Sequence, residues 1–211
     1  MHREAQLQSL RVALYDRGSG DEHLNKGFLR DDAYLAIVIL TDEDDCSADQ
    51  SSDLFTDDLT FTGTAPSFRC AQVGHLCNGQ SPPVAAFSVP LTSCQAKEDG
   101  RLIAVANVIT SVRALKARPD QQIFVSAIAG WPADPSTARY TYGNRVGAMD
   151  LDYLPICQGP AGSATAALRI KQFVDAFGAH GSLHSICDAD FAPAMRALGD
   201  QLAAAMQPQG P

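Results

Sequence analysis

Four consecutive acidic residues, Asp42–Asp45, are the group in this sequence whose types and spacing best suit a chemical role. Neighbouring carboxylates repel one another, so a cluster of this kind is favourable only when water solvates it or a hard cation neutralises it. Carboxylate oxygens are the ligands that Mg²⁺ and Ca²⁺ prefer in proteins. The residues therefore predict a divalent-cation site, and a solvated acidic loop is the simpler alternative.

An apolar run directly precedes these acids. Leu35–Leu40 is continuous, short and rich in Ile and Val, which predicts a strand buried on both faces by the helices of a parallel sheet. Ligands of open parallel sheets bind outside the carboxyl ends of the strands. Thr41 and the acids after it therefore lie where a ligand site is expected.

Hydrophobic periodicity along the rest of the chain predicts alternating helices and strands. The predicted helices cover 3–16, 101–118, 163–177 and 190–206, and further strands cover 122–129 and 182–187. Ser163 and Asp190 have the residue types of helix N-caps. Residues 130–162 show no such pattern and are expected to be irregular. The alternation predicts an α/β fold with a parallel sheet and right-handed crossovers.

The composition limits the classes of partner. With 211 residues, 45% of them hydrophobic and 19% charged, the chain has the profile of a single globular domain. A formal net charge of −8, without any Lys/Arg cluster, argues against nucleic acid and anionic membranes as partners. No apolar run is long enough to cross a bilayer, and residues 1–8 lack the apolar core of a signal peptide. A cation is the more natural partner for so acidic a chain.

The cysteines predict disulfides, because they are even in number and lie mostly beside Gly, Pro, Ser and Asn. They are Cys46, Cys70, Cys77, Cys94, Cys157 and Cys187. The first four lie in residues 46–99, a Cys-rich insertion without sustained periodicity that is expected to be functional or stapled. Spacing favours Cys70–Cys77 with Cys46–Cys94 among the three possible pairings, and Cys157 is expected to pair with Cys187. Disulfides imply an oxidising, extracytoplasmic compartment.

Several short segments, in this order and spacing, resemble one known family. They are Gly27–Arg30, Leu35–Ser47, Ser67–Cys70, Gly74–Gly79, Ile128–Gly130, Leu168–Ile170, Phe177–Gly178 and Ser185–Cys187. In these segments the chain resembles the von Willebrand factor type A (vWA) domains of bacterial secreted and lipoprotein-type proteins. The likeness extends over nearly the whole chain from Gly27 onward.

The resemblance implies a doubly wound, Rossmann-like parallel sheet with helices on both faces, and a metal-ion-dependent adhesion site for Mg²⁺ or Ca²⁺. Asp42 corresponds to the aspartate that this site takes from the end of the fourth strand, and Asp44 and Asp45 are the further metal-ligand candidates. The family's site also needs an Asp-x-Ser-x-Ser motif and a Thr from earlier in the domain. Neither precedes Asp42 here, so we expect cation binding by this chain to be weak or absent.

The chain is therefore expected to be the carboxy-terminal half of a vWA-like domain, 1–211, in which residues 1–32 form a helix and a connector. The resemblance also predicts the order of the sheet. Strands 34–41, 122–129 and 182–187 should lie in that order and run parallel. The segment 35–40 should then be an unpaired edge, because the family's first strand would flank it.

Two function classes follow from these residues. The first is a non-catalytic, extracytoplasmic binding domain of the adhesion type, periplasmic, outer-surface or secreted, that recognises a protein or surface ligand through the carboxyl ends of its strands. The alternative is a metal-dependent hydrolase that uses Asp42–Asp45 to hold a catalytic ion. A hydrolase needs a base or nucleophile at a neighbouring strand end, where Asp188 and Asp190 are equally well explained by helix capping. His180 and His184 are interpreted as structural, so binding is preferred.

Overall fold

The structure is a computed structural model that describes residues 4–15, 25, 27–49, 51–52, 54, 66–144, 151–160 and 162–207. Its helices are α1 (Gln6–Tyr15), α2 (Pro66–Gly74), α3 (Val105–Arg113), α4 (Pro119–Gln122), α5 (Leu168–Asp175) and α6 (Ala192–Ala205). Its strands are β1 (Leu35–Leu40), β2 (His75–Cys77), β3 (Phe87–Pro90), β4 (Cys94–Ala96), β5 (Ile123–Ala129), β6 (Arg139–Asn144), β7 (Leu151–Tyr153), β8 (Cys157–Gly159), β9 (Gly162–Ala164) and β10 (Gly181–Ser185). These elements make a mixed α/β protein.

The main sheet has three strands in the order β1-β5-β10, all parallel, as predicted. In its register Leu35 is opposite Ile123, and Gly181 is opposite Val125. One face carries the main hydrophobic core, which α1, α3 and α5 cover with residues at helical spacing such as Val105, Val108 and Val112 of α3. A partial parallel sheet flanked by helices is therefore present, as expected.

The strand β1 is not buried on both faces, contrary to the prediction from its apolar run. Its burial alternates: Leu35, Ile37 and Ile39 lie in the main core, whereas Val38 is 46% exposed and Leu40 is 61% exposed. The reason is that the helix on the second face of the sheet covers only part of that face. The last helix, α6, packs against β5, every residue of which is buried, and it does not cover the second face of β1.

The insertion and the segment expected to be irregular build a second, smaller core. Residues 46–99 contain α2, β2, β3 and β4, and residues 130–162 contribute β6, β7 and β8. β3, β6 and β7 form an antiparallel sheet whose tyrosines Tyr140, Tyr142 and Tyr153 are buried against α2. The expectation of an irregular segment was therefore wrong. β3, β7 and β8 have only three or four residues, too few for a period-2 pattern to stand out. β6 has six residues, and its alternating Tyr140 and Tyr142 are a signal that the prediction missed.

All six cysteines form disulfides, as predicted, but only one pairing was correct. Cys157 is bonded to Cys187, whereas the insertion contains Cys46–Cys70 and Cys77–Cys94 instead of the favoured arrangement. The antiparallel pairing of β2 with β4 places Cys77 directly opposite Cys94 with their Cα atoms 4.1 Å apart, which decides the pairing. Three disulfides indicate an oxidising, extracytoplasmic environment.

The third predicted helix begins later than expected. Ser163 lies in β9, paired antiparallel with β8, and α5 starts only at Leu168. The last helix begins at Ala192 with Phe191 at its N-cap position, two residues later than expected, and the Asp190 carboxylate accepts a hydrogen bond from Ala192 N at 2.8 Å. Among the helices that the structure describes, none is long and apolar enough to cross a membrane.

Candidate functional site

The acidic cluster follows β1 at the carboxyl end of the sheet, where the chain is held by backbone hydrogen bonds to two other segments. Thr41 N donates to Ile128 O at 3.1 Å, which extends the pairing of β1 with β5 by one residue. Thr165 N, just after β9, donates to Asp42 O at 3.0 Å. The Asp42 residue is exposed. Its backbone is thus fixed while its side chain faces solvent.

Asp44 lies under this surface and serves as a cap for α5. Its carboxylate accepts hydrogen bonds from Arg169 N (3.0 Å) and Ile170 N (3.2 Å), two amides in the first turn of the helix. A carboxylate at a helix N-terminus satisfies backbone donors that have no partner in the helix and interacts favourably with the helix dipole. No side chain next to α5 in sequence supplies this cap. The aspartate does so from 125 residues away.

The second partner of Asp44 is His75, which begins β2 and is 1% exposed. His75 Nε2 is 2.7 Å from Asp44 Oδ2, and its Nδ1 is within hydrogen-bonding distance of the Tyr140 hydroxyl. Tyr140 Oη in turn lies 2.9 Å from Tyr153 Oη. We assign the proton of a neutral imidazole to Nε2, because Asp44 can only accept and Nδ1 then accepts from Tyr140. Every polar group in this chain of hydrogen bonds is then satisfied.

Asp45 is paired with a buried arginine. Its Oδ2 accepts from Arg169 Nε at 3.2 Å and Nη2 at 3.1 Å, and both side chains have 0% exposure. Its Oδ1 accepts from Leu7 N at 3.0 Å and from the Ser47 hydroxyl. Arg169 Nη2 also donates to Ile103 O at 2.6 Å. The pair therefore joins α1, the end of β1, α5 and the segment before α3.

The aromatic side of the network is strongly desolvated. Burial raises the pKa of the Tyr142 phenol, and burial likewise raises the pKa of Tyr153, with the charge of Asp44 acting in the same direction on both. Both phenols are neutral at ordinary pH. Tyr142 Oη makes no hydrogen bond of normal geometry within the described part of the chain.

A second polar group surrounds Thr41. Its hydroxyl contacts the Glu4 carboxylate, accepts from Gln6 Nε2 at 2.6 Å and lies 2.8 Å from Glu43 O. Thr41 itself is only 3% exposed. The start of α1 is therefore bound to the end of β1, and the hydroxyl is already occupied by these contacts.

The structure thus separates the residues that the sequence predicted together. Asp42 faces solvent, whereas Asp44 and Asp45 are buried and hydrogen-bonded to protein groups. In the described part of the chain, no group of three or more His, Cys, Asp or Glu side chains is placed to hold a metal ion. These donors therefore do not make up a complete Mg²⁺ or Ca²⁺ site, which takes six or more oxygens.

The residues that the sequence left unassigned are His75 and Arg169. Both lie far in sequence from Asp44 and Asp45, and an isolated His or Arg carries no local signal of such a partner. Trp131, which follows β5, is 7% exposed and packs in the second core, with Lys171 Nζ 5.5 Å from its ring centroid. His180 stacks on Phe124 at 4.1 Å, which agrees with a structural role.

No family model, no curated protein and no solved structure matches this chain.

Proposed function

We propose that this protein is a non-catalytic, extracytoplasmic binding domain of the vWA type, which presents Asp42 at the carboxyl end of its sheet to a protein or surface ligand. The proposal keeps the vWA resemblance of the sequence as its source for the class of function. In the complete form of such a domain, a Mg²⁺ or Ca²⁺ ion would join Asp42 to the ligand. The remaining oxygens would come from elements other than those described above.

One observation carries the proposal: of the four acids, Asp42 is exposed, Glu43 is half-buried, and Asp44 and Asp45 are buried. Asp44 and Asp45 bind His75, Arg169 and the start of α5. They hold the loop that presents Asp42, whose own backbone is fixed by Thr165. A binding group is effective when neighbouring hydrogen bonds hold it in place before the ligand arrives.

The same division argues against the hydrolase alternative. The His–Asp pair nearest the site, His75 with Asp44, resembles a catalytic pair in composition. Both members are buried, however, and both nitrogens of His75 face protein partners. A general base must come within hydrogen-bonding reach of a substrate proton. This histidine therefore supports the end of β1, and we assign it no part in a reaction.

Isothermal titration calorimetry with MgCl₂ and CaCl₂ tests the proposal on the full chain. Asp42 alone supplies one carboxylate, so we expect dissociation constants weaker than about 10⁻⁵ M, the weak end of sensor sites. Asp42→Ala should remove whatever heat is seen, while Asp49→Ala, another exposed acid close in sequence, should leave it unchanged. Binding tighter than that limit and lost in Asp42→Ala would contradict the incomplete site. Rapid metal-dependent hydrolysis of ester or phosphoester substrates, lost in the same variant, would instead favour the hydrolase.

A further inference from the structure

The outer side of β1 has backbone groups that none of the described strands satisfies. Thr41 N donates toward β5, and hydrogen-bonding direction alternates along a strand. The N–H and C=O groups of Ala36, Val38 and Leu40 therefore point away from β5, along what we call the outer edge of β1. Within the described residues β1 pairs only with β5. The side chains of the same three residues form the open face of β1, exposed to solvent.

Within the residues that the structure describes, this edge has none of the protections that edge strands normally carry. All six residues of β1 are apolar and uncharged, without a proline or an interrupting charge. On its open face Val38 is 46% exposed and Leu40 is 61% exposed. An edge of this composition pairs readily with another strand. We infer that β1 is a docking edge whose partner is a strand followed by an amphipathic helix, with a basic residue at the strand end that meets Asp42.

The helix is required because a strand alone leaves the open face uncovered. The opposite face of β1 is already packed in the main core, so only one face needs a cover. α6 reaches β1 only near its start, where the Tyr34 hydroxyl donates to Ala205 O at 2.6 Å. Val38 and Leu40 would stay exposed beside any added strand. A helix with an apolar stripe against them completes the layer, as in other parallel sheets.

The basic residue follows from charge complementarity. At its carboxyl end β1 is followed by exposed Asp42 and half-buried Glu43. At its amino end exposed Asp31 and Asp32 are balanced by Arg30 and by Lys116, whose Nζ contacts Arg30 O. The carboxyl end is therefore the net negative one, and a partner strand with Lys or Arg at that end meets opposite charge.

Charge and contact area argue against a second copy as the occupant. Parallel pairing of two β1 edges would place Asp42 of the two copies side by side. Antiparallel pairing would place Asp42 of each copy beside the balanced amino end of the other, which offers no net attraction. The contact would also be small. A six-residue strand edge covers about 20 Å by 10 Å, or roughly 200 Å² per copy, against about 800 Å² per partner in a stable interface.

Synthetic peptides and the full chain provide the test, which involves no cation and so stands or falls separately from the cation titration. The first peptide has six alternating β-branched and threonine residues flanked by lysines and joined to an amphipathic helix. The second replaces the lysines with glutamates, and the third lacks the helix. Fluorescence anisotropy at low salt should show the first binding at least about tenfold more tightly than either of the others.

Two substitutions locate the binding. Val38→Lys should weaken binding of the first peptide by at least about tenfold, and so should Leu40→Lys at a more exposed position. Val84→Lys is the control, because it makes the same Val-to-Lys substitution at a loop position that is 59% exposed. It should change the affinity for the first peptide by less than about twofold. Absence of saturable binding, or binding that Val38→Lys and Leu40→Lys leave intact, would overturn the inference. A discrete dimer that persists at all salt concentrations and is lost in both variants would also overturn it, because the occupant would then be a second copy.

Discussion

The two outer strands of the main sheet differ in how they meet solvent. β10 has the sequence Gly-Ser-Leu-His-Ser, and its residues are half-buried or buried. Its end is tied by the Cys157–Cys187 disulfide, and Ser185 Oγ accepts from Cys187 N at 3.1 Å. β1 has six apolar residues, half of them exposed. β10 therefore has the composition of a natural edge, whereas β1 has that of an interior strand.

The comparison shows that the two edge strands of one sheet are held in place in different ways. At β10 the polar side chains and the disulfide limit both pairing and local opening. β1 is instead held at its carboxyl end, where Asp44 is hydrogen-bonded to His75 and Asp45 to Arg169. The position of β1 is thus fixed from its end, while its outer edge stays available to a partner.

The largest expected effect comes from breaking the anchor at the end of β1. Arg169→Met leaves Asp45 as an unpaired charge without access to water, and we expect unfolding in urea to show a loss of about 3–5 kcal/mol. Lys171→Met, on the same helix, removes an exposed ion pair with Asp175 and should cost no more than about 1 kcal/mol. The double variant Asp45→Leu/Arg169→Met should recover much of the loss. Equal costs for the two single variants would show that the buried pair does not anchor β1.

The next largest effect is expected from removing the disulfide that follows β10. Replacing Cys157 and Cys187 together with alanine should lower the free energy of unfolding by about 2–4 kcal/mol, since the bridge closes a chain separation of 30 residues. Amide exchange in β10 should become faster, and exchange at Ile37 in β1 should change only by the global loss of stability. Faster exchange confined to β1 would contradict the assignment of this disulfide to the β10 edge.

A smaller effect is expected in self-association. Sedimentation velocity of the full chain should show little association at low ionic strength, because each copy carries a formal net charge of −8. Association through the open strand should rise as salt screens this charge over distances beyond about 8 Å. The small area of the β1 edge should keep this association weak and reversible. Val38→Lys should suppress the rise, whereas Val84→Lys should not. Association that falls with salt would contradict the role given to these charges.

The smallest effect at neutral pH is expected for Tyr142→Phe. Burial raises the pKa of Tyr142 above its unfolded value near 10, so its contribution to stability is full below about pH 10 and is lost as the pH rises further. The variant should change stability by less than about 1 kcal/mol at pH 7, because this hydroxyl makes no normal hydrogen bond within the described residues. It should also unfold at higher alkaline pH than the parent. Tyr140→Phe, which removes a partner of His75, should cost more at pH 7.

The sequence predicted the main sheet well because its strands and helices carry strong local patterns. Leu35–Leu40 and Ile123–Ala129 were recognisable as strands, and their order agrees with the structure. The exposure of Val38 was not predictable, because it depends on how far α6 extends across the second face. The burial of Asp44 and Asp45 was equally hidden, since their partners lie up to 126 residues away and a run of acids looks the same whether solvated or paired.

Amide hydrogen exchange of the monomeric chain, read residue by residue by NMR at low salt, tests most directly whether the outer edge of β1 is open. The alternation of the strand predicts fast exchange at Ala36, Val38 and Leu40, whose amides point outward. It predicts slow exchange at Ile37 and Ile39, whose amides point toward β5. Adding the lysine-flanked strand–helix peptide should slow the first three and leave Leu183 of β10 unchanged. Uniformly slow exchange along β1 in the free monomer would show that the edge is already paired, and would contradict the account.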